Sequence, residues 1–318
     1  MNVRTHAYAL GSLAKEAVFE TLWPTRCCVC DLPGAVLCER CERALSRLDR
    51  WQACPCCGAP YGRIQCTECN ERTLSALGLE RYPFASCSSA VLLNDAARRI
   101  VLAWKDGGER RLAAVMADAI ARTLPPSWCA HSWQAHALRE RTGLFAAEET
   151  NCAHSAVRNG GARVSSPEND AASGNMQAFP ARPSESSCDL LPEAAFFIPA
   201  SRQALSRRGW DHAEELAREV ARLLELPVWT PLARPSARDQ RALGRRARAR
   251  NAVGSFQTEQ PESVRTARRR EELARTLPAS VLLLDDVFTT GSTLSAAAFA
   301  LKESGVRTVH CATFARAF

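Results

Sequence analysis

No apolar run in the 318 residues approaches the ~18 needed for a membrane-spanning helix. The opening MNVRTHAYALGSLAKEAVFE has no uninterrupted apolar stretch of signal-peptide length. These two absences argue against membrane insertion and against export, so a soluble cytoplasmic chain is the expectation. Tandem repeats are also lacking, apart from duplicated cysteine pairs. Hydrophobic periodicity is missing from about residue 125 to 190. There Pro125-Pro126 opens a segment rich in Ala, Ser, Asn, Glu and Gly that includes GGARVSSPENDAASGNMQ. It reads as a long disordered or loosely ordered insertion. Its Cys129, Cys152 and Cys188 and its three histidines lack the spacing of a metal site.

The rest of the chain has enough to build a core. Hydrophobic residues make up 46% and charged residues 24%, the balance of a globular protein with one large domain or two modest ones. A formal charge of +7 favours anionic partners such as phosphates or nucleic acid, though only weakly. Beyond residue 73, helical and strand patterns alternate. Leu112, Val115, Met116, Ala119 and Ile120 recur at helical spacing after a turn at Asp106-Gly107-Gly108. Ala194–Ile198 is a short strand stopped by Pro199, and a helix runs from about Asp211 to Leu224. Pro227-Val228-Trp229 suggests another strand, and Val281–Leu284 reads as a buried one. A helix over 292–304 closed by Gly305 and a last strand over 306–314 complete the pattern. Such alternation predicts an α/β fold around a mainly parallel sheet.

Ten of the fifteen cysteines lie between Cys27 and Cys69. Eight of them form four Cys-x-x-Cys pairs: Cys27/Cys30, Cys38/Cys41, Cys54/Cys57 and Cys66/Cys69. Each pair places two thiolates on a tight knuckle that can grip one tetrahedral ion. Without an export signal, metal ligation is the expected use, and sulfur ligands select zinc. An iron–sulfur cluster or redox disulfides are the competing uses. Eight thiolates suffice for one or two structural Zn²⁺ sites. Sequential pairing is expected, with interleaved pairing as the alternative; Cys28 and Cys56 are spectators.

The string Leu284-Asp285-Asp286-Val287-Phe288-Thr289-Thr290-Gly291-Ser292-Thr293 follows a buried strand and leads into a helix. A strand of this kind delivers the chain to the carboxyl edge of a parallel sheet, where ligands bind. Thr289, Thr290, Gly291, Ser292 and Thr293 can then wrap a phosphate with N–H and hydroxyl groups, aided by the helix N-terminus. Gly291 allows close backbone approach. Asp285 and Asp286 repel phosphate and suit ribose hydroxyls or a magnesium shell, and they are the candidate catalytic acids. Between Arg234 and Arg250 there are seven arginines against one acid, Asp239. Arg245, Arg246, Arg248 and Arg250 are candidates for gripping a nucleic-acid backbone, although a solvated basic face is the usual use of such a run.

Together these pieces resemble the competence-associated ComF family. The carrying residues are the cysteine pairs, Lys105 before a Gly turn, Pro199, Arg208-Gly209, Gln240 and Leu243, Arg248, Asn251, and the Asp285–Thr293 loop. The resemblance implies a double zinc-ribbon-like module over 1–72 and a type I phosphoribosyltransferase-like domain over 73–318, interrupted at 125–190. It also implies binding of phosphoribosyl pyrophosphate (PRPP) with Mg²⁺, in which Asp285 and Asp286 meet the ribose. Thr289–Thr293 would hold the 5′-phosphate, and Lys105, Arg202 and Arg208 would face the remaining phosphates. The implied role is DNA uptake in natural transformation, handling internalised single strands with a helicase-like partner. An active phosphoribosyltransferase with an unidentified acceptor is the alternative. Ile-Pro-Ala-Ser and Trp-Asp-His stand where the family has Val-Pro-Val-Pro and Phe-Asn-Gln, so contacts on the pyrophosphate side are expected to differ.

Overall fold

The computed structural model describes residues 24–128, 191–233, 257–258 and 277–318. The 1–23 lead-in, most of the expected insertion and the arginine-rich run lie outside the described residues. In chain order the elements are α1 (Glu39–Arg43), α2 (Glu71–Ala76), β1 (Ser86–Leu92), α3 (Asp95–Lys105), α4 (Leu112–Ala121) and a 3-10 turn (Pro126–Trp128). They continue with β2 (Ala194–Phe197), α5 (Arg202–Arg208), α6 (His212–Leu224), β3 (Leu232–Ala233), β4 (Gln257–Thr258), β5 (Ser280–Phe288), α7 (Ser292–Glu303) and β6 (Thr308–Arg316). None of the described helices is long and apolar enough to cross a membrane.

Four parallel strands form the main sheet, in the order β1-β6-β5-β2. The central strands are covered on both faces, so Val281–Leu284 of β5 form an unbroken apolar run and every residue of β6 is buried. Val228 adds a single parallel bridge outside β2, where a full strand was expected. Pro227 contributes only its carbonyl there, accepting from the Ala195 amide, and proline has no amide to extend the ladder.

Each long helix has a local cause. The Asn94 side chain caps α3 by accepting from the Ala97 amide at 3.0 Å. Asp211 caps α6, whose Leu216, Ala217, Val220 and Leu224 form one buried stripe. α7 is rich in alanine, and its small side chains let it lie close to the sheet. Alternate residues Val281 and Leu283, Val309 and Cys311, and Ala194 and Phe196 pack with α7 and with Cys54, Cys57, Leu74, Tyr82 and Phe84. Helices α4 and α6 pack on each other and against β1, β2, β5 and β6. The helix after β5 and the helices after β2 therefore leave the sheet in different directions. The carboxyl ends of these adjacent strands open a crevice, the place where ligands bind in sheets of this kind.

The cysteine-rich segment is joined to this framework by backbone bonds. The Leu48 amide donates to Ala90 and the Leu92 amide to Ser46, so residues 46–48 extend the β1 edge. Farther out, the Arg99 side chain donates to the Val29 carbonyl at 2.8 Å.

Candidate functional site

A cavity of about 170 Å³ lies at the carboxyl ends of β2 and β5, lined by Lys105, Ile198–Ser201, Ala204, Arg208, His212, Asp285 and Asp286. It is smaller than the ~300 Å³ at which small-molecule sites begin, so it takes only part of a larger ligand. Lys105 Nζ donates to Asp286 Oδ2 at 2.6 Å. Burial alone would raise the Asp286 carboxyl, but the Lys105 ammonium holds it below the usual carboxylate range. Asp285 goes the other way. Burial and then the Asp286 charge push its carboxyl up to about 8. Of two adjacent carboxylates, one is ionised against lysine and the other holds a proton. A divalent cation would relieve that frustration, so the pair suits a magnesium ion.

Lys105 is placed by its neighbour. Trp104 is fully buried, its ring 5.1 Å from the His212 ring, and its indole N–H donates to Glu215 at 3.4 Å. With Trp104 locked against α6, the last residue of α3 reaches the crevice. Arg208 closes α5 before Gly209, which adopts φ 77° and ends the helix. Its guanidinium donates to Asp106 at 2.8 Å and so joins α5 to the end of α3. Arg202 sits exposed in the first turn of α5 and is not among the lining residues.

His212 lines the cavity, and Asp211 before it builds the rim. His212 is buried, and burial followed by the Lys105 charge lowers it to about 4, so it is neutral at pH 7. Asp211 has a structural task. It accepts from the Ala213 amide at 2.9 Å and the Ala200 amide at 2.8 Å, tying the Ile198–Ser201 loop to the start of α6.

Thr289–Thr293 lie just beyond this cavity, where β5 gives way to α7. Thr289 and Thr290 are exposed, and no side chain caps α7. The first amide of the helix, that of Ser292, donates to Thr290 Oγ1 at a long 3.4 Å, a contact that an anion bound at this helix start could replace. Thr290 Oγ1 and Ser292 Oγ stand 3.0 Å apart. Gly291 has φ 76°, and a Cβ there would lie 2.6 Å from Phe288 Cζ and 3.1 Å from Tyr82 Cε1. Glycine is thus required by the aromatic floor beneath the loop as well as by its open face. Phe288 builds that floor.

The eight paired cysteines form two groups, Cys27/Cys30/Cys38/Cys41 and Cys54/Cys57/Cys66/Cys69. In each, the sulfur atoms all lie within 4.8 Å of one another. This is the sequential pairing; the interleaved one is excluded. The separations Cys30–Cys38 and Cys57–Cys66 are both 3.6 Å, and Cys54–Cys69 is 3.8 Å. A tetrahedral zinc ion with Zn–S bonds of about 2.3 Å sets sulfurs roughly 3.8 Å apart, so both groups could hold zinc. Burial would raise the Cys27 thiol, but the backbone amides of Cys38, Cys30 and Val29 outweigh it and bring it down to about 6, favouring the thiolate a metal needs. Cys28 and Cys56 belong to neither group.

Residues 211–317 match the family model of the phosphoribosyl transferase domain. The match runs from the Asp211 cap of α6 to the end of β6 and contains both aspartates and the whole Thr289–Thr293 loop. Lys105, Arg202, Arg208 and the two cysteine groups lie outside it. No curated protein matches the chain.

Proposed function

We propose that this chain binds PRPP at the carboxyl ends of β2 and β5. The observation that carries this reading is the juxtaposition of the helix start after Thr289–Gly291 with the Asp285–Asp286 pair of the preceding strand and with Lys105 of α3, which donates to Asp286. Thr289–Thr293 hold the 5′-phosphate through backbone amides and hydroxyls. Asp285 and Asp286 face the ribose hydroxyls, and Lys105 and Arg208 approach the pyrophosphate. A magnesium ion on the aspartate pair would supply charge neutralisation at the pyrophosphate oxygens. Asp211 holds the Ile198–Ser201 loop at the rim, and neutral His212 closes the wall. Titration calorimetry with PRPP and magnesium is expected to give saturable binding that falls at least about tenfold in the Asp285→Asn, Asp286→Asn double variant. A folded, zinc-loaded wild type that takes up no PRPP would overturn this reading.

The finer role follows the family resemblance: a PRPP-binding protein of DNA uptake whose Arg245, Arg246, Arg248 and Arg250 track a single strand with a helicase-like partner. A steep loss of single-strand affinity with added salt is expected of such contacts. Turnover of PRPP with an acceptor base would instead make the chain a transferase. Both alternatives use the same PRPP site.

The pH dependence tests the aspartate pair separately. Asp285 has a native pKa of about 8 against an ordinary 3.8. Between those values the native state keeps a proton that the unfolded chain has lost, so Asp285 lowers stability progressively as pH rises through that window. A cation on the pair must expel the same proton. Magnesium-dependent PRPP affinity is therefore expected to rise by up to about tenfold per pH unit until about pH 8, then level off. Calorimetry across that range checks it, and a flat profile would show that Asp285 meets the ligand protonated.

A further inference from the structure

Arg316, the last residue of β6, is a charged side chain with no solvent exposure. Its surroundings come from two distant parts of the chain. One terminal nitrogen donates to Cys57 Sγ at 3.7 Å and to the Glu68 carboxylate, both within the second cysteine group's segment. Its guanidinium carbon stands 4.0 Å from the centroid of the Phe288 ring. The Nε and Nη1 atoms are buried with no hydrogen-bond partner. Buried guanidinium donors are rarely left unpaired. Here the π face of Phe288 takes the place of an acceptor, which makes this stacking the main support on that side of the cation.

Phe288 is in turn the floor of the phosphate loop. It pairs directly with Arg316 across the β5–β6 ladder, and the Ala317 amide donates to its carbonyl at 2.9 Å. Tyr82 and Phe84, stacked on each other at 4.9 Å, meet it edge-on at 6.2 and 6.5 Å. The top of the ring fills the space where Gly291 would carry a side chain. An unbroken line of contacts thus runs from a cysteine of the second group, through Arg316 and Phe288, to the backbone turn that would hold a phosphate.

Electrostatics gives this line a direction. Four thiolates around one divalent ion carry two net negative charges, and Arg316 is the buried cation touching them. A loaded group both fixes the Cys54–Cys57 knuckle and supplies the counter-charge for Arg316. An empty one leaves Glu68 as the one anion, among the described residues, that contacts the guanidinium. A buried charge that loses half its partnership must move or draw in water. Phe288 would lose its cover in either case.

We propose that Arg316 is a positioning residue that couples metal occupancy of the Cys54/Cys57/Cys66/Cys69 group to the order of the Thr289–Thr293 loop. The functional importance of that order rests on the PRPP reading above; the coupling itself does not.

Hydrogen exchange measured without PRPP tests it. Peptides covering Phe288–Ala297 are compared in the zinc-loaded chain, after chelation, and in zinc-loaded Arg316→Lys and Phe288→Leu variants. Metal removal is expected to speed loop exchange about tenfold or more while the Leu282–Leu284 and His310–Ala312 amides stay protected. Both zinc-loaded variants are expected to exchange in the loop like the metal-free wild type, with two zinc ions still bound. Loop exchange that ignores the metal would overturn the proposal. So would simultaneous loss of loop and strand protection, because metal would then act on the whole fold, or a loop unaffected by Arg316→Lys. PRPP calorimetry on the same samples reports separately on ligand binding: a coupled loop without PRPP uptake would sink the functional reading alone.

Discussion

Replacing Gly291 with alanine is expected to weaken PRPP binding about a hundredfold and to destabilise the fold by about 2–4 kcal/mol. Two separable costs add. At φ 76° an L-residue loses about 1 kcal/mol that glycine does not. The new methyl would also stand 2.6 Å from Phe288 Cζ and 3.1 Å from Tyr82, both held by packing. Relief requires either the ring or the loop to move, and overpacking of this kind costs about 1–3 kcal/mol. The ring is wedged between Tyr82, Phe84 and the Arg316 guanidinium, so the loop gives way, and with it the amides at the start of α7. A double-mutant cycle separates the terms. Phe288→Leu in the Gly291→Ala background should relieve most of the overpacking cost but none of the left-handed strain. Thermal unfolding and PRPP titration of the four proteins check this. An alanine variant within twofold of wild-type affinity would mean that the loop binds its anion in another conformation.

That prediction also shows what the sequence could and could not reveal. The Asp285–Thr293 string and the cysteine knuckles are legible because their chemistry is local: strand, turn and helix follow in order, and two thiols three residues apart can share an ion. The apolar run Val281–Leu284 marks a buried strand for the same reason. What fills the space below Gly291 is not local in that way. In the sequence Phe288 is only one residue of that string, and the positions of Tyr82 and Arg316 turn it into the floor of the loop. The Lys105–Asp286 pair joins residues far apart in the chain, and no spacing rule brings them together. Asp211, read as an altered pyrophosphate contact, is spent on backbone amides. A signal for that was present, since an acid directly before an amphipathic helix is an N-cap. Arg316 looks like a surface charge near a chain end until the sheet register puts it opposite Phe288.

The two metal groups differ in burial, and this sets the second large effect. Cys57 is fully buried in the core shared by Leu283, Phe288 and Cys311, and its sulfur accepts from Arg316. Cys57→Ser removes a metal ligand, places an undersized polar group in that core and disturbs the partner of a buried cation. Together these should cost about 4 kcal/mol or more, a fall in Tm of roughly 10 °C or greater for a domain of this size. Cys30, in the first group, is exposed. Water can enter its place as the fourth zinc ligand, and no strand of the main sheet rests on it. Cys30→Ser should therefore cost only about 1–2 kcal/mol. Stepwise chelation should follow the same order, with the zinc ion of the first group leaving first and that of the second leaving later, at the step where loop protection is lost. Thermal denaturation of both variants, with zinc content measured at each step, decides the matter. Equal Tm losses would mean that the first group also supports the sheet, through the residues 46–48 that extend its β1 edge.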